Sequence, residues 1–237
     1  MLKKRQKVTE GEVSEPVSQE QTAEPKKAPL WKQILFSQVL SDKSAAKRIA
    51  YIGVTAALCI VTNMFEIKFA TTQFSFTIFS SVLAGILIGP LYGFCAVFLG
   101  DGVGYLCNSM GYPYYWWVAL SCATMALLSG LIMNGLRFRF KGSVYVKLAL
   151  VCVATLLICS LAINTTGMYY IGLKLYMPKN VQQAFLERFG GVQSYWGYCL
   201  IRFFLLGQIY NSLVNYALLF AALPVLIAIK PLKINLQ

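Results

Sequence analysis

The sequence predicts an all-α membrane protein: a bundle of six transmembrane helices with both termini in the cytoplasm. First, six long apolar runs lie between residues 49 and 229, and roughly 17–25 apolar residues let one helix cross a bilayer. Second, the six runs fill most of this stretch, which leaves no room for a soluble domain, and the stretch holds only three acidic residues and no histidine. Third, most of its basic residues flank the runs, where they anchor helix ends at lipid headgroups.

The chain divides into an N-terminal segment, residues 1–44, and a transmembrane domain, residues 45–237. The N-terminal segment is rich in Glu, Gln, Pro and Lys and cannot bury a core, so it is expected to be disordered or to lie at the membrane interface. Within it, residues 30–40 are a candidate for a short interfacial helix.

The second and third runs are short, and only Gly89 and Pro90 separate them, which indicates a tight turn. The sixth run is long and contains Pro224, which favours a tilt or kink near its end. The predicted helices span residues 46–64, 74–89, 91–107, 114–136, 145–167 and 198–229.

The distribution of Lys and Arg orients the bundle. With the N-terminus inside, the inner segments include a loop at 137–147 with four basic residues and no acid. The outer segments are 65–73 (net zero), 108–113 (uncharged) and 168–197 (net +2). The positive-inside rule therefore predicts that both termini are cytoplasmic.

Several kinds of chemistry are disfavoured by what the sequence lacks. Without histidine there is no Ser-His dyad and no HExxH zinc site, and no Walker A motif is present. The seven cysteines are odd in number and show no CxxC pair, so they are interpreted as packing residues. The net charge of +12 lies mainly at helix ends and does not indicate nucleic-acid binding. No enzyme activity, metal or cofactor is expected.

Asp101 is the one acid inside a predicted span. A charge at membrane depth is costly, which makes it a candidate functional residue. The alternative is structural: among three glycines, its carboxylate would accept backbone N–H groups beside a close helix contact. Both interpretations stay open at this point.

Aromatic and amide side chains cluster at the outer ends of the predicted helices. An interfacial aromatic belt would explain the rings, but it does not require amides and an arginine inside the spans, because buried amides need partners. A planar polar ligand stacked on the rings would satisfy both sets. The candidate ligand-binding residues are Lys68, Asn108, Tyr114, Trp116, Trp117, Asn164, Tyr169, Arg202 and Asn211.

A strip of small residues follows one face of the first helix: Ala46, Ala50, Gly53 and Ala57. Such a strip lets another helix approach closely in lipid. The other helix belongs either to the same chain or to a partner protein, and the spacing alone does not decide between them.

Three segments resemble the S components of energy-coupling factor (ECF) vitamin transporters, most closely the folate type. They are SSVLAGILIGPLYGFCAVFLGDGVGYLCNSMGYPYYWWVALSCATMALLSGLIMNG (80–135), INTTGMYYIGLKLY (163–176) and NSLVNYALL (211–219). The order of these segments, their spacing and the six-helix topology agree with the family over roughly residues 45–230.

The resemblance implies a substrate-binding subunit in the bacterial plasma membrane. It would capture a vitamin, by this resemblance folate, outside the cell. It would then dock on one transmembrane coupling protein and two ATPases. The small-residue strip of the first helix would be the docking face. Loop 65–73, with Glu66, Phe69 and Gln73, would gate the site.

For a folate-like ligand, Trp116 or Trp117 would stack on the ring. Asn108, Asn164 and Asn211 would bind the ring edge, and Arg202 or Lys68 would pair with a carboxylate. The alternatives are the same kind of subunit for another vitamin or a nucleobase-like compound, a stand-alone secondary transporter, and a membrane-embedded enzyme.

Overall fold

The computed structural model describes residues 35, 40, 44–68, 73–107, 113–136, 138, 140 and 142–228. An all-helical membrane bundle is confirmed: within these ranges, five helices are long and apolar enough to cross a membrane. The elements are α1 (Ala45–Met64), β1 (Glu66–Lys68), β2 (Gln73–Ser75), α2 (Thr77–Ile88), α3 (Pro90–Cys107), α4 (Trp116–Gly135), α5 (Ser143–Leu175), α6 (Lys179–Phe189), α7 (Tyr195–Leu200, extended by a π-helical turn, Ile201–Leu205) and α8 (Gln208–Ala228).

Helix α2 is the short member of the bundle. Its 12 residues are apolar and mostly buried, and at 1.5 Å per residue they extend for roughly 18 Å, less than the hydrocarbon core. The predicted tight turn after it is confirmed. Gly89, at φ 90°, donates its N–H to the Gly85 carbonyl at 3.1 Å, and Pro90 begins α3.

Glycines let α2, α3 and α4 pack backbone to backbone. A methyl group at Gly85 would overlap the carbonyl oxygen of Ala126 and the hydroxyl of Ser129, and one at Gly130 would lie 2.6 Å from the nitrogen of Pro90. Small residues serve this purpose in membrane bundles because dispersion contacts, not water exclusion, hold the helices together.

A two-stranded antiparallel hairpin connects α1 to α2, where the sequence analysis expects only a loop. Ile67 pairs with Phe74 at its centre. The tip, residues 69–72, lies outside the described residues. Strands this short are not stable alone, and this hairpin is supported by hydrogen bonds from α8 to the backbone of Ser75.

Helix α5 is longer than the predicted 145–167. It runs from Ser143 to Leu175, with π-helical stretches at Thr155–Thr165 and Met168–Gly172. The segment expected to be a loop, 168–197, therefore begins as helix, and it also contains α6. Helix α6 buries Val181, Ala184 and Phe185, which are spaced for one helix face.

The predicted sixth helix is divided near its start rather than at Pro224. Its first part, α7, passes into a π-helical turn and ends before Gly207, whose φ of 75° suits glycine. Helix α8 then continues through Pro224 to Ala228. The divided helix is relevant to the site because Arg202 lies in the π-helical turn.

Most of the N-terminal segment and of the candidate interfacial helix at 30–40 lies outside the described residues. Leu40 is described, and it packs in a buried cluster with Ile88 and Ala96.

The chain alternates between two ends of the bundle. One end carries the hairpin, the last turns of α1, α3 and α5, and the first turns of α2, α4 and α7; it is called the hairpin end below. The opposite end carries the turn at Gly89 and Pro90. The candidate ligand-binding residues that the structure describes belong to the hairpin end or to the half of the bundle next to it.

Candidate functional site

Aromatic rings from α5 and α7 form a cluster at the hairpin end. The ring of Tyr169 packs against three tyrosines, with centroids 5.0 Å from Tyr170, 5.5 Å from Tyr195 and 5.8 Å from Tyr198. The hydroxyls of Tyr195 and Thr166 hydrogen-bond at 3.1 Å. These bonds join the top of α5 to the start of α7, and they hold flat apolar faces beside polar atoms.

The two candidate tryptophans occupy different environments. Trp117 is buried, and its indole lies against Gly167 and Gly172 of α5; at Gly167 a methyl group would overlap the ring. Trp116 is 53% exposed, and its ring meets that of Trp117 edge-on at 5.8 Å. Trp117 is therefore part of the bundle interior, whereas Trp116 lies on its surface.

Three candidate residues carry a buried polar atom that finds no hydrogen-bond partner among the described residues. The atoms are the indole nitrogen of Trp117, Oδ1 of Asn164 and Nε of Arg202. Buried polar atoms nearly always have partners, so atoms of this kind are candidates for contact with a ligand. Together they offer two donors and one acceptor.

Asn164 and Arg202 both lie in π-helical stretches, at Thr155–Thr165 and Ile201–Leu205. π-Helical turns are rare and occur frequently at functional sites, because they displace side chains from the regular helical register. Arg202 also donates from Nη1 to the Tyr198 hydroxyl at 3.5 Å, which connects it to the tyrosine cluster.

Asn211 has a role in the fold that the sequence analysis did not predict. Its Oδ1 accepts from the backbone N–H of Ser75 at 3.3 Å and from Nδ2 of Asn215 at 3.0 Å. Asn215, which was missed, donates to the Ser75 carbonyl at 2.8 Å and accepts from the N–H of Phe79 at 3.0 Å. The two asparagines thus hold β2 and the first turn of α2. Their i, i+4 spacing on one helix was the available signal.

Asp101 is buried and hydrogen-bonded to a side chain of α1. Nδ2 of Asn63 donates to its Oδ1 at 2.9 Å. Burial, and then the charge of Asp101, raises the pKa of Tyr114 to about 12, so this phenol lies beside the carboxylate. Tyr114 remains a candidate ligand-binding residue.

Some candidates cannot be placed from side-chain geometry. Asn108 and Phe69 lie outside the described residues, and Glu66, Lys68 and Gln73 are described by their backbone in the hairpin.

The small-residue strip of α1 is exposed along its whole length: Ala46, Ala50, Gly53 and Ala57. In α1, Thr55 and Cys59 are the buried residues. The strip is therefore not covered by another of the described helices.

A separate apolar groove of about 390 Å³ lies between α5 and α7 on the outside of the bundle. Its lining presents no polar surface, so it offers nothing to a polar ligand. The residues that line the groove are Leu156, Leu157, Leu161, Trp196, Cys199, Leu200, Phe203 and Phe204.

No group of three or more Cys, Asp or Glu side chains in the described ranges could hold a metal ion.

Residues 43–212 match the family described as ECF-type riboflavin transporter, S component. No curated protein matches the sequence. The matched segment covers more than two thirds of the chain and runs from the start of α1 into α8. This finding confirms the resemblance to an ECF S component, but the family it names is the riboflavin type and not the folate type. The chain belongs to the ECF-type riboflavin transporter S component family.

Proposed function

We propose that the protein is the substrate-binding membrane subunit of an ECF importer and that its substrate is riboflavin. The family match supports the flavin. The observation that carries the location of the site is the set of partnerless buried polar atoms on Trp117, Asn164 and Arg202, beside the tyrosine cluster. Riboflavin has a flat tricyclic ring with polar atoms along one edge, and it therefore needs both stacking surfaces and hydrogen bonds.

In this proposal the ring of Tyr169 contacts the flavin face, and Trp116 closes the exposed side. Oδ1 of Asn164 accepts from the ring N–H, and the indole N–H of Trp117 donates to a ring carbonyl. Asn108 and Lys68 remain candidates for the outer edge. Asn211 acts through the hairpin, which it holds by the bond to Ser75.

Folate is the second candidate, and Arg202 is the residue that favours it. Riboflavin carries no carboxylate, whereas the glutamate tail of folate would pair with a guanidinium whose Nε is free among the described residues. Arg202→Ala should weaken an anionic ligand by about 1.5–3 kcal/mol. The same substitution should change riboflavin binding much less.

The proposed orientation places both termini in the cytoplasm and the hairpin end outside. Lys and Arg in the 137–147 loop support it through the positive-inside rule. Termini on one side require an even number of crossings, so α2 must count as the sixth span although it has 12 residues.

The exposed strip of α1 is proposed as the docking surface for the transmembrane coupling protein, which works with two ATPases in the bacterial plasma membrane. Close approach of a partner helix needs small residues that are free of intramolecular contacts, and the strip meets this requirement. Loop 65–73 is proposed to gate the site, as the resemblance implies.

The ligand proposal is tested by titrating the detergent-purified protein with riboflavin and following the quenching of flavin fluorescence. Asn164→Ala should weaken binding by about tenfold, the loss expected for one buried hydrogen bond. Asn180→Ala, an exposed asparagine at the start of α6, is the control. Wild-type affinity in Asn164→Ala would remove this residue from the site.

The docking proposal is tested by co-purification with the coupling protein and the ATPases. Ala50→Leu should abolish co-purification and ATP-dependent uptake while riboflavin binding persists. Ala162→Leu, at an exposed alanine of α5, should leave both co-purification and uptake intact. Riboflavin uptake into vesicles that contain this chain alone would instead favour a stand-alone transporter.

A further inference from the structure

Asp101 is the one acid in the spanning helices, and its side chain is 8% exposed. A carboxylate at this depth is retained only where hydrogen bonds replace its water. Its contacts include side chains from two different parts of the chain, Asn63 of α1 and Tyr114, and Tyr114 is also one of the candidate ligand-binding residues.

The first donor is Asn63, in the last turn of α1. Its Nδ2 reaches both Oδ1 of Asp101, at 2.9 Å, and the Asp101 carbonyl oxygen, at 3.3 Å. Helix α1 ends one residue later and leads directly into β1. The bond to Asp101 therefore fixes the point from which the hairpin leaves the bundle.

The second contact is with Tyr114, which comes immediately before α4. Its ring packs on Tyr105 of α3 with centroids 5.0 Å apart, and its hydroxyl lies 3.7 Å from the position of a methyl group at Gly102, next to Asp101. Trp116 and Trp117 follow within three residues. This contact therefore fixes the start of the segment that carries both tryptophans.

Two glycines bring α1 close enough to α3 for these bonds. A methyl group at Gly104 would lie 3.1 Å from Nδ2 of Asn63, and one at Gly100 would lie 3.2 Å from Cβ of Cys59. The GDGVG segment thus places the carboxylate within reach of the α1 side chain.

We infer that Asp101 is a positioning residue that ties the base of the hairpin to the tryptophan-bearing start of α4 and so slows escape of the bound vitamin. Only the slower escape of the bound vitamin rests on the proposed function. The tie itself is a property of the ligand-free protein. Asp101 does not touch the ligand in this account, so its substitution should change dissociation more than association.

The first experiment measures riboflavin association and dissociation rates by stopped-flow fluorescence. Asp101→Ala should raise the dissociation rate by about tenfold, with a much smaller change in association. Asp101→Asn should stay near wild type, because an amide can accept from Asn63 and donate to the Tyr114 oxygen. In a double-mutant cycle, Asn63→Ala should add nothing to Asp101→Ala.

The second experiment needs no ligand. Hydrogen exchange should become faster in residues 60–66 and 113–118 of Asp101→Ala and stay unchanged in 143–165. If Asp101→Ala does not fold, Asn63→Ala and Tyr114→Phe replace it in both experiments. Unchanged exchange in both segments, or an unchanged dissociation rate, would overturn the inference. Faster exchange in a protein that binds no flavin would keep the tie and reject the proposed function.

Discussion

Helices α1 to α4 pack as regular α-helices through glycines and alanines, whereas α5 and α7 are partly π-helical and meet through aromatic rings. In the first group, Gly85 and Gly130 bring backbones into direct contact. In the second, the rings of Tyr169 and Tyr195 meet edge-on with their centroids 5.5 Å apart. One sequence therefore contains a close-packed part and a part with room for polar and aromatic side chains.

The two parts also differ in their buried polar side chains. In the close-packed part, Ser129 donates to the Val82 carbonyl at 3.1 Å, although Ser81 Oγ and Asn134 Nδ2 find no partner among the described residues. In the other part, Asn164 and Arg202 each keep a buried atom for which the described residues provide no partner. Binding a vitamin would supply those partners without disturbing the packing of α2, α3 and α4.

The largest effect is expected from Gly85→Ala. The new methyl group would overlap the backbone of Ala126, which cannot move without separating α2 from α4. Overpacking of this kind should destabilise the bundle by about 3 kcal/mol or more. The check is the fraction of monodisperse protein after heating in detergent. The control is Gly135→Ala, where a methyl group meets nothing within 4 Å; equal stability of the two variants would contradict close packing.

Asn215→Leu should have the next largest effect. It keeps the size of the side chain but leaves the Ser75 carbonyl and the Phe79 N–H without their partners. A loss of about 2 kcal/mol is expected, together with faster proteolysis at the hairpin. Gln182→Leu, on the exposed side of α6, is the control. If hairpin proteolysis did not change, the asparagines would not be what holds it.

Gly167→Ala should affect binding more than stability. Its methyl group would lie 2.5 Å from Cδ1 and 2.6 Å from Cγ of Trp117, so the indole would have to leave its present position. Riboflavin affinity should fall by about tenfold, measured by flavin fluorescence. In the control Gly102→Ala, the new methyl group meets nothing nearer than 3.7 Å. Unchanged affinity in Gly167→Ala would place the ligand away from Trp117.

Tyr216→Phe should have the smallest effect. It removes the 3.0 Å bond between the Tyr216 and Thr155 hydroxyls, but Thr155 still donates to the Val151 carbonyl. Interhelical hydrogen bonds in membranes contribute about 0.6 kcal/mol on average. Thermal unfolding beside Tyr210→Phe, an exposed tyrosine on the same helix, measures it. A loss several times larger would mean that α5 and α8 depend on this bond.

The close-packed part was the more predictable one, because its signals are local. Apolar runs located α1, α3 and α4, and the dipeptide of Gly89 and Pro90 located the turn. The part with room for polar and aromatic side chains depends on contacts between residues far apart in the chain. The pairing of Asn215 with Ser75 spans 140 residues, and no sequence pattern distinguishes it from a ligand contact.

Two misses had signals that were present in the sequence. Helix α6 follows Pro178 and carries Val181, Ala184 and Phe185 at helical spacing, so the loop at 168–197 could have been divided. Gly207 could have indicated the break before α8, but the sequence prediction placed a tilt or kink at Pro224, near the other end of the helix. The π-helical stretches had no such signal, since no residue type specifies them.

The choice between the two vitamins is measured by native mass spectrometry of the purified protein mixed with equal amounts of riboflavin and folate. We expect one riboflavin bound per chain and no folate. Folate bound in its place would contradict the proposed substrate and favour a pairing of its carboxylate with Arg202. A chain that binds neither vitamin would contradict the claim that the aromatic and polar half of the bundle is a vitamin site.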